Sequence, residues 1–235
     1  MAEQREETFV DYLEALRSVL IKSLSALAVG LIPMFLAAPY VMDALIKIML
    51  QNNEIRLNFF SPTEVFVLQI KTALVLDILV CFPYIARLVW NFVLPALYDN
   101  ERKFIKSIVW TSSSLFVIGV LFCLFFILPF IIRFGMSFVT DNIRAMFGIG
   151  NIMSLALWLS FLFGLMFQFP LVTYALIRSK ILTYDVIRRK RAYVFIAILI
   201  LSGLLTPPDI VSQLMLTLPT YGLFEIGLFF GKKEA

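Results

Sequence analysis

Residues 204–209 read Leu204-Leu205-Thr206-Pro207-Pro208-Asp209, and this stretch divides the C-terminal part of the chain into two apolar runs. Paired prolines cannot continue a helix, because each ring fixes φ and each lacks a backbone N–H donor. The run before them, from Tyr193, has only about 13 residues, or roughly 20 Å of helix. Since a bilayer needs about 20 apolar residues per helix, the sequence predicts short fifth and sixth membrane helices.

The composition indicates a polytopic, all-α membrane protein. The 235 residues are 61% apolar and 15% charged and include no histidine, whereas soluble domains average about 45 to 50% apolar residues. Histidine is the commonest metal ligand and the usual proton shuttle near neutral pH. We therefore expect no metal site, no cofactor and no enzymatic hydrolysis, and no motif for a nucleotide or nucleic acid is found. Cys81 and Cys123 lie in apolar runs, where no disulfide is expected.

Hydropathy predicts six membrane spans in a single integral domain over residues 1–235, preceded by a cytosolic amphipathic segment over residues 1–18. The acidic N-terminus lacks the basic region of a cleavable signal, so the first span is expected to remain as an anchor. The predicted spans are residues 19–38, 65–85, 108–132, 153–177, 193–205 and 213–230.

The distribution of positive charge orients these spans. With six crossings, 15 of the 20 Lys and Arg residues fall on the side of the two termini and four on the other side, while Lys71 lies within a span. Positive charge accumulates in cytoplasmic loops. The sequence therefore predicts that both termini are cytoplasmic.

Local signals predict three boundaries. Ser61-Pro62-Thr63-Glu64 has the form of a capping box with proline at the first helical position, so the second span should begin there. Val41–Leu50 resembles a short interfacial helix on the outer face. Thr183 and Asp185 start a basic turn before the fifth span.

The N-terminal segment carries an unusual acidic stripe for a cytosolic flank. Apolar residues recur at helical spacing, and Glu7, Asp11 and Glu14 share the opposite face. Such a face can attract a basic peptide, or it is a solvated helix entering the membrane. Glu101 is open to two interpretations. In one, its negative charge stabilises the N-terminal end of the third span, where Asn100 is the cap. In the other, it binds a guanidinium group of a ligand.

Polar residues also occur within the predicted spans, at Gln69, Lys71, Asp77, Gln168 and Glu225. Such groups are costly in lipid and mark candidate functional sites. The simpler interpretations are that Lys71 extends to the outer interface, and that Gln168 and Glu225 bond to other helices.

Several separated motifs together resemble TatC, the multi-spanning receptor subunit family of the twin-arginine protein translocase. The resemblance covers nearly the whole chain. The matching segments are Leu13, Leu16 and Arg17; Ser61-Pro62; Trp90 and Phe92; Pro95-Ala96-Leu97-Tyr98 and Glu101-Arg102; Arg189-Lys190-Arg191; Leu204 to Asp209; Ser212-Gln213; and Phe224-Glu225-Ile226-Gly227.

The resemblance implies a receptor, not an enzyme, in the bacterial cytoplasmic membrane. Its ligands would be twin-arginine signal peptides of folded precursors, exported with the proton-motive force. Its partners would be TatA-like and TatB-like single-span proteins, further copies of itself and the lipid bilayer.

The resemblance also assigns residues. Glu101 would receive the arginine pair, with Phe92, Tyr98 and Arg17 as neighbours in the signal-peptide site. Gln168, Asp209 and Gln213 would contact partner helices.

Three positions depart from the family pattern. Ala15 stands where the family has glutamate, so we predict that Asp11, with Glu14, supplies the second carboxylate. Gln168 stands where many members carry glutamate, and a neutral amide cannot carry a proton or form an ion pair. Asp77 has no family counterpart.

Two functions from other classes are alternatives. One is a small-solute transporter with Lys71, Asp77 and Glu225 as an intramembrane relay, although no internal repeat supports it. The other is a purely structural membrane subunit, which would leave the acidic stripe unexplained.

Overall fold

The structure is a computed structural model of the chain, and it describes residues 9–50, 57–58, 60–93, 102–137, 147–178, 183–205 and 210–232. These ranges are almost entirely helical. The elements in chain order are α1 (Phe9–Leu50), β1 (Leu57–Asn58), α2 (Pro62–Val93), α3 (Arg102–Phe122), a π-helical turn (Cys123–Ile127), α4 (Leu128–Met136), β2 (Phe147–Gly148), α5 (Ile149–Met166), α6 (Phe169–Arg178), α7 (Tyr184–Arg189), α8 (Arg191–Leu205) and α9 (Ile210–Gly231).

Each predicted span coincides with helix in the described residues. Within the described ranges, five segments are long and apolar enough to cross a membrane, namely Tyr12–Ile48, Thr63–Val93, Ser107–Met136, Ile149–Arg178 and Ile210–Gly231. The short fifth helix is confirmed, because α8 has 15 residues, or roughly 22 Å. The prediction of a short sixth helix is wrong, because α9 begins directly after the double-proline segment and runs for 22 residues.

Helix α1 is continuous from Phe9 to Leu50. The prediction of a separate interfacial helix over Val41–Leu50 is therefore wrong. Pro39 lies inside α1 and has no N–H to donate to the Phe35 carbonyl. Gln69 of α2 donates its Nε2 to that carbonyl at 3.3 Å, so a neighbouring helix satisfies the group that the proline leaves free.

Two other predicted spans contain interruptions. The π-helical turn divides the third, where the Leu128 N–H donates to the Cys123 carbonyl. The fourth breaks at Phe167 and Gln168, between α5 and α6. Each interruption ends two residues before a proline, Pro129 or Pro170, whose missing N–H prevents the regular hydrogen-bond pattern.

Helix α2 begins at Pro62, as the capping-box motif predicted, and its Glu64 also bonds to a second helix. Glu64 Oε2 accepts the Phe60 N–H at 2.8 Å, and Glu64 Oε1 accepts the Gly150 N–H, in the first turn of α5, at 2.9 Å. The strands β1 and β2 pair in parallel beside this contact. One carboxylate thus joins the N-terminal ends of α2 and α5.

Four buried apolar clusters among the described residues hold the helices together. The first joins α1, α2, α4 and α5 at the end that includes Leu45, Ile132 and Ile152. The second lies between α3, α5 and α9 around Phe163 and Leu216. The third joins α2, α3 and α6 at the opposite end.

The fourth cluster binds α6, α7, α8 and α9 together. Here the predicted basic turn forms the short helix α7, preceded by Thr183. Ile187 of α7 is buried among Ile177, Ile198 and Phe224. The basic segment is therefore anchored to the helical core.

Candidate functional site

Three of the predicted signal-peptide residues, Glu14, Arg17 and Phe92, lie at one end of the antiparallel α1–α2 pair. Ala26 accepts a weak bond from Cys81 Sγ at 3.9 Å, and Gly30 contacts Asp77. Continuing this register about three turns further puts Phe92 about level with Ala15. Phe92 therefore lies at the same height along the pair as the turn that carries Glu14 and Arg17.

The side chains on this turn face outward. Glu14 and Arg17 are exposed, and Phe92 is half-buried. The apolar residues beside them are also open, with Leu13 49% and Leu16 41% exposed. Among the described side chains of this segment, Glu14 of the acidic face and Leu13 and Leu16 of the apolar face are thus open to the surroundings.

The segment between α2 and α3 carries the other predicted residues. Tyr98 and Glu101 lie outside the described residues, as do Asp209 and the side chain of Asp11. The helices on either side of Tyr98 and Glu101 are firmly packed, because Trp90 of α2 and Ile108 of α3 share a buried cluster. This cluster fixes where the intervening segment starts and ends.

Phe82 of α2 stacks on Phe116 of α3 with ring centroids 3.8 Å apart. The two helices are therefore in contact well away from the connecting segment. Stacked aromatic pairs add to the energy of area burial, so this contact helps hold the α2–α3 hairpin that presents the site.

Gln168 is bonded within the chain. Ser112 Oγ donates to Gln168 Oε1 at 2.7 Å, and Gln168 Nε2 donates to the Ser112 carbonyl at 3.1 Å. Gln168 Nε2 also lies 3.4 Å from the Gly164 carbonyl. The amide therefore ties α3 to the break between α5 and α6. Its predicted contact with a partner helix stays a prediction.

Gln213 of α9 also bonds to a neighbouring helix, the short helix α8. Its Nε2 donates to the Leu199 carbonyl of α8 at 3.0 Å. A Cβ at Gly203 would lie 2.7 Å from the same nitrogen. Gln213 thus joins α8 to α9 from a half-buried position, and contact with a partner helix remains a prediction.

Glu225 is bonded inside the α8–α9 pair, as the simpler interpretation predicted. Arg191 Nη2 lies 2.8 Å from Glu225 Oε2, and the Tyr221 hydroxyl donates to Glu225 Oε1 at 2.8 Å. Glu225 lies in the last third of α9, six residues before its end at Gly231.

The three residues of the relay hypothesis contact three different helices. Lys71 donates to Ser154 Oγ of α5 at 3.0 Å. Asp77 is 2% exposed against Gly30 of α1 and accepts from Cys81 Sγ at 3.4 Å. Because Glu225 bonds to α8, no described contact connects the three.

Sequence reasoning missed the serines that pair with Gln168 and Lys71, namely Ser112 and Ser154. Serines within apolar spans were the available signal, because a polar side chain in a membrane helix often bonds to a polar side chain of a neighbouring helix. No group of three or more Cys, Asp or Glu residues within the described ranges is arranged to hold a metal ion.

Comparisons with known proteins identify the family of the chain. The sequence model of the TatC family, described as "Sec-independent protein translocase protein (TatC)", matches residues 11–219. The TatC protein of Carboxydothermus hydrogenoformans is 36% identical over 98% of this chain and 95% of its own length. The TatCy protein of Bacillus subtilis is 30% identical over 90% of this chain and 85% of its own.

A solved structure shares the fold. The crystal structure described as "Twin Arginine Translocase Receptor- TatC" superposes with a TM-score of 0.86 and 29% identity, over 95% of this chain and 99% of that one. A second crystal structure of that receptor, in DDM, has the same TM-score and 30% identity. The chain is therefore a transmembrane protein of twin-arginine protein transport and belongs to the TatC family of Sec-independent protein translocase proteins.

Proposed function

We propose that this chain is the receptor of its translocase and binds twin-arginine signal peptides at the end where α1, α2 and the segment before α3 meet. The observation that carries the proposal is the common height of Phe92 and the Glu14–Arg17 turn on the antiparallel α1–α2 pair. Glu101 follows in the segment that leaves α2. Carboxylates from two separate segments would therefore approach one ligand.

The chemistry of the ligand fits this arrangement. A twin-arginine peptide offers two guanidinium groups, each of which pairs with a carboxylate through two parallel hydrogen bonds. Glu101 takes one arginine, and Asp11 with Glu14 takes the other in place of the family glutamate absent at Ala15. The exposed Leu13 and Leu16 offer apolar surface to the hydrophobic part of a signal peptide.

This function requires the site to face the cytosol, and we propose that both termini do. Exposed cations collect at the same end of the bundle as Phe92, on α2, α7 and α9. They are Arg87, Arg188 and Arg189, with Lys190 and Lys232 directly after α7 and α9. That excess of positive charge supports a cytoplasmic location in the bacterial inner membrane.

We further propose that TatA-like and TatB-like single-span proteins and further copies of the chain complete the translocase. Gln213 lies on the α8–α9 hairpin, whose lipid-side residues Ile200 and Leu218 are exposed. Such a surface can accommodate a transmembrane helix, with the proton gradient as the energy source.

Photo-crosslinking tests the receptor role. A twin-arginine peptide is added to membranes that contain the full chain, with probes near residues 13 and 92, and is compared with a Lys-Lys peptide. We expect crosslinks with Arg-Arg that fall about tenfold or more for Glu101→Gln and for Asp11→Asn with Glu14→Gln. Asp43→Asn, an exposed carboxylate near the other end of α1, should leave them unchanged.

Two results would contradict this proposal in whole or in part. Equal crosslinking of the Arg-Arg and Lys-Lys peptides would refute recognition of the arginine pair. Full crosslinking of the Asp11 and Glu14 double variant would refute only the assignment of the second carboxylate.

A further inference from the structure

A cluster of cations on α7 is not used by the proposed receptor function. Arg188, Arg189 and Lys190 are all exposed, and no carboxylate among the described residues lies within ion-pair distance of them. Asp185, the acidic residue of the same helix, is exposed at its first turn. The cluster therefore carries a net positive charge.

The position of this cluster is fixed by the fold. Ile187 is buried among α6, α8 and α9, so α7 cannot move away from the helix ends. Lys232 follows α9 one turn beyond Leu228, which belongs to the same buried cluster. Cations from two segments thus collect over one end of the α8–α9 hairpin.

The neighbouring groups leave these charges uncompensated. Glu225 already pairs with Arg191, the next residue along the chain. The Nε of Arg191 is buried and has no hydrogen-bond partner among the described atoms. Glu225 therefore does not neutralise the cluster Arg188–Lys190.

An apolar surface continues directly from the cations. Tyr193 is 73% exposed and is followed along α8 by exposed Ile196, Ile200 and Leu204. An aromatic residue at the end of an apolar helix is typical of the membrane interface. The surface thus combines cations at one end with an exposed apolar face of α8.

We propose that this surface, Arg188–Lys190 with the lipid-facing side of α8, is a binding site for an anionic phospholipid. The phosphate would lie at the cations and the acyl chains along Tyr193 and Ile196. An acidic peptide or a nucleic acid would match the charge but not the exposed apolar face, whereas an anionic lipid matches both. Helix α8 is only 15 residues long, so its apolar length differs from that of its longer neighbours. A lipid held by its headgroup would cover the apolar surface that this difference in length leaves uncovered.

Lipid photolabelling tests the site. The full chain is reconstituted in vesicles of phosphatidylcholine that contain a photoactivatable phosphatidylglycerol or, in parallel, a photoactivatable phosphatidylcholine, and labelled peptides are mapped by mass spectrometry. We expect phosphatidylglycerol to label residues 184–200 at least about fivefold more than phosphatidylcholine, from the attraction of each near-surface cation for anionic lipid. The preference should weaken between about 0.1 and 1 M salt.

Matched variants identify the charges responsible. Arg188→Gln, Arg189→Gln and Lys190→Gln together should reduce phosphatidylglycerol labelling to the phosphatidylcholine level. Lys47→Gln with Arg133→Gln, which removes exposed cations at the ends of α1 and α4, should not. Arg188→Lys with Arg189→Lys keeps the charge and should keep the preference, which separates loss of binding from a failure to fold.

Two results would overturn the proposal. One is equal labelling of residues 184–200 by the two lipids in the unmodified chain. The other is an unchanged preference in the triple glutamine variant. Neither result depends on a signal peptide, so the test is independent of the receptor function.

Discussion

Arg191, the first residue of α8, lies 2.8 Å from Glu225 of α9, measured from Nη2 to Oε2. This ion pair closes the α8–α9 hairpin at the end opposite the double proline. Its side chains are 41% and 30% exposed, so we expect a coupling energy of only about 0.5 to 1 kcal/mol. A double-mutant cycle of Arg191→Gln and Glu225→Gln, followed by SDS titration in mixed micelles, measures it. Strictly additive effects of the two substitutions would contradict this expectation.

Gly227 should be intolerant of any side chain. A Cβ there would lie 2.7 Å from both Cα and the carbonyl oxygen of Pro170, and the backbone of α6 cannot yield as a flexible side chain would. We expect Gly227→Ala to lower the free energy of unfolding by about 1 to 3 kcal/mol.

Gly222 is the matched control on the same helix. A Cβ at Gly222 meets nothing within 4 Å, so Gly222→Ala should be neutral or stabilising by up to about 1 kcal/mol. Comparable losses for both variants would show that the contact with Pro170 is not what makes Gly227 intolerant of a side chain.

Gly30 and Asp77 should behave as a pair. A Cβ at Gly30 would clash with Asp77 Oδ1, and Asp77 is 2% exposed with little room to turn away. We expect Gly30→Ala to destabilise the chain by about 1 to 3 kcal/mol and to weaken disulfide crosslinking between cysteines placed on α1 and α2.

Asp77→Ala in the Gly30→Ala background supplies the reciprocal test. Removing the carboxyl group makes room for the new methyl, so crosslinking between α1 and α2 should recover. Gly135→Ala, whose Cβ meets nothing within 4 Å, is the control for an added methyl. A failure of Asp77→Ala to rescue would mean that the clash is not the cause.

Gln168 should contribute stability through Ser112. Gln168→Ala leaves the buried Ser112 hydroxyl and carbonyl without their amide partner, which costs about 1 to 3 kcal/mol. Ser112→Ala should then add little to Gln168→Ala, because the two residues share one set of bonds. Ser114→Ala, an exposed position on the same helix, should change the unfolding free energy by less than about 0.5 kcal/mol.

The helical segments and the family were accessible from the sequence because both depend on features that the chain carries locally. Apolar runs of sufficient length can only be satisfied as helices in lipid. Paired prolines end a helix wherever they stand, and the helices α8 and α9 lie on either side of Pro207 and Pro208 as predicted. The start of α2 at Pro62 also depends on residues within one turn of the chain, so it was predicted correctly.

Features that depend on a second helix were not accessible. The sequence suggested that α1 ends before Val41, but the Gln69 amide supplies the bond that Pro39 removes, and α1 continues to Leu50. In the candidate site, too, some features are local in the sequence and others depend on a second helix. Its residue types and their proposed ligand follow from the motifs, whereas the common height of Phe92 and Glu14 follows from the α1–α2 register.

The sequence by itself determined the positions of the apolar helical segments, the uneven distribution of positive charge along the chain and membership of the TatC family. Only the tertiary structure decided which polar groups satisfy one another: Gln168 with Ser112, Glu225 with Arg191, and Asp77 against Gly30. The physical reason is that hydropathy and backbone geometry act along the chain. The partner of a buried polar group, in contrast, is chosen by the register and distance at which two helices meet.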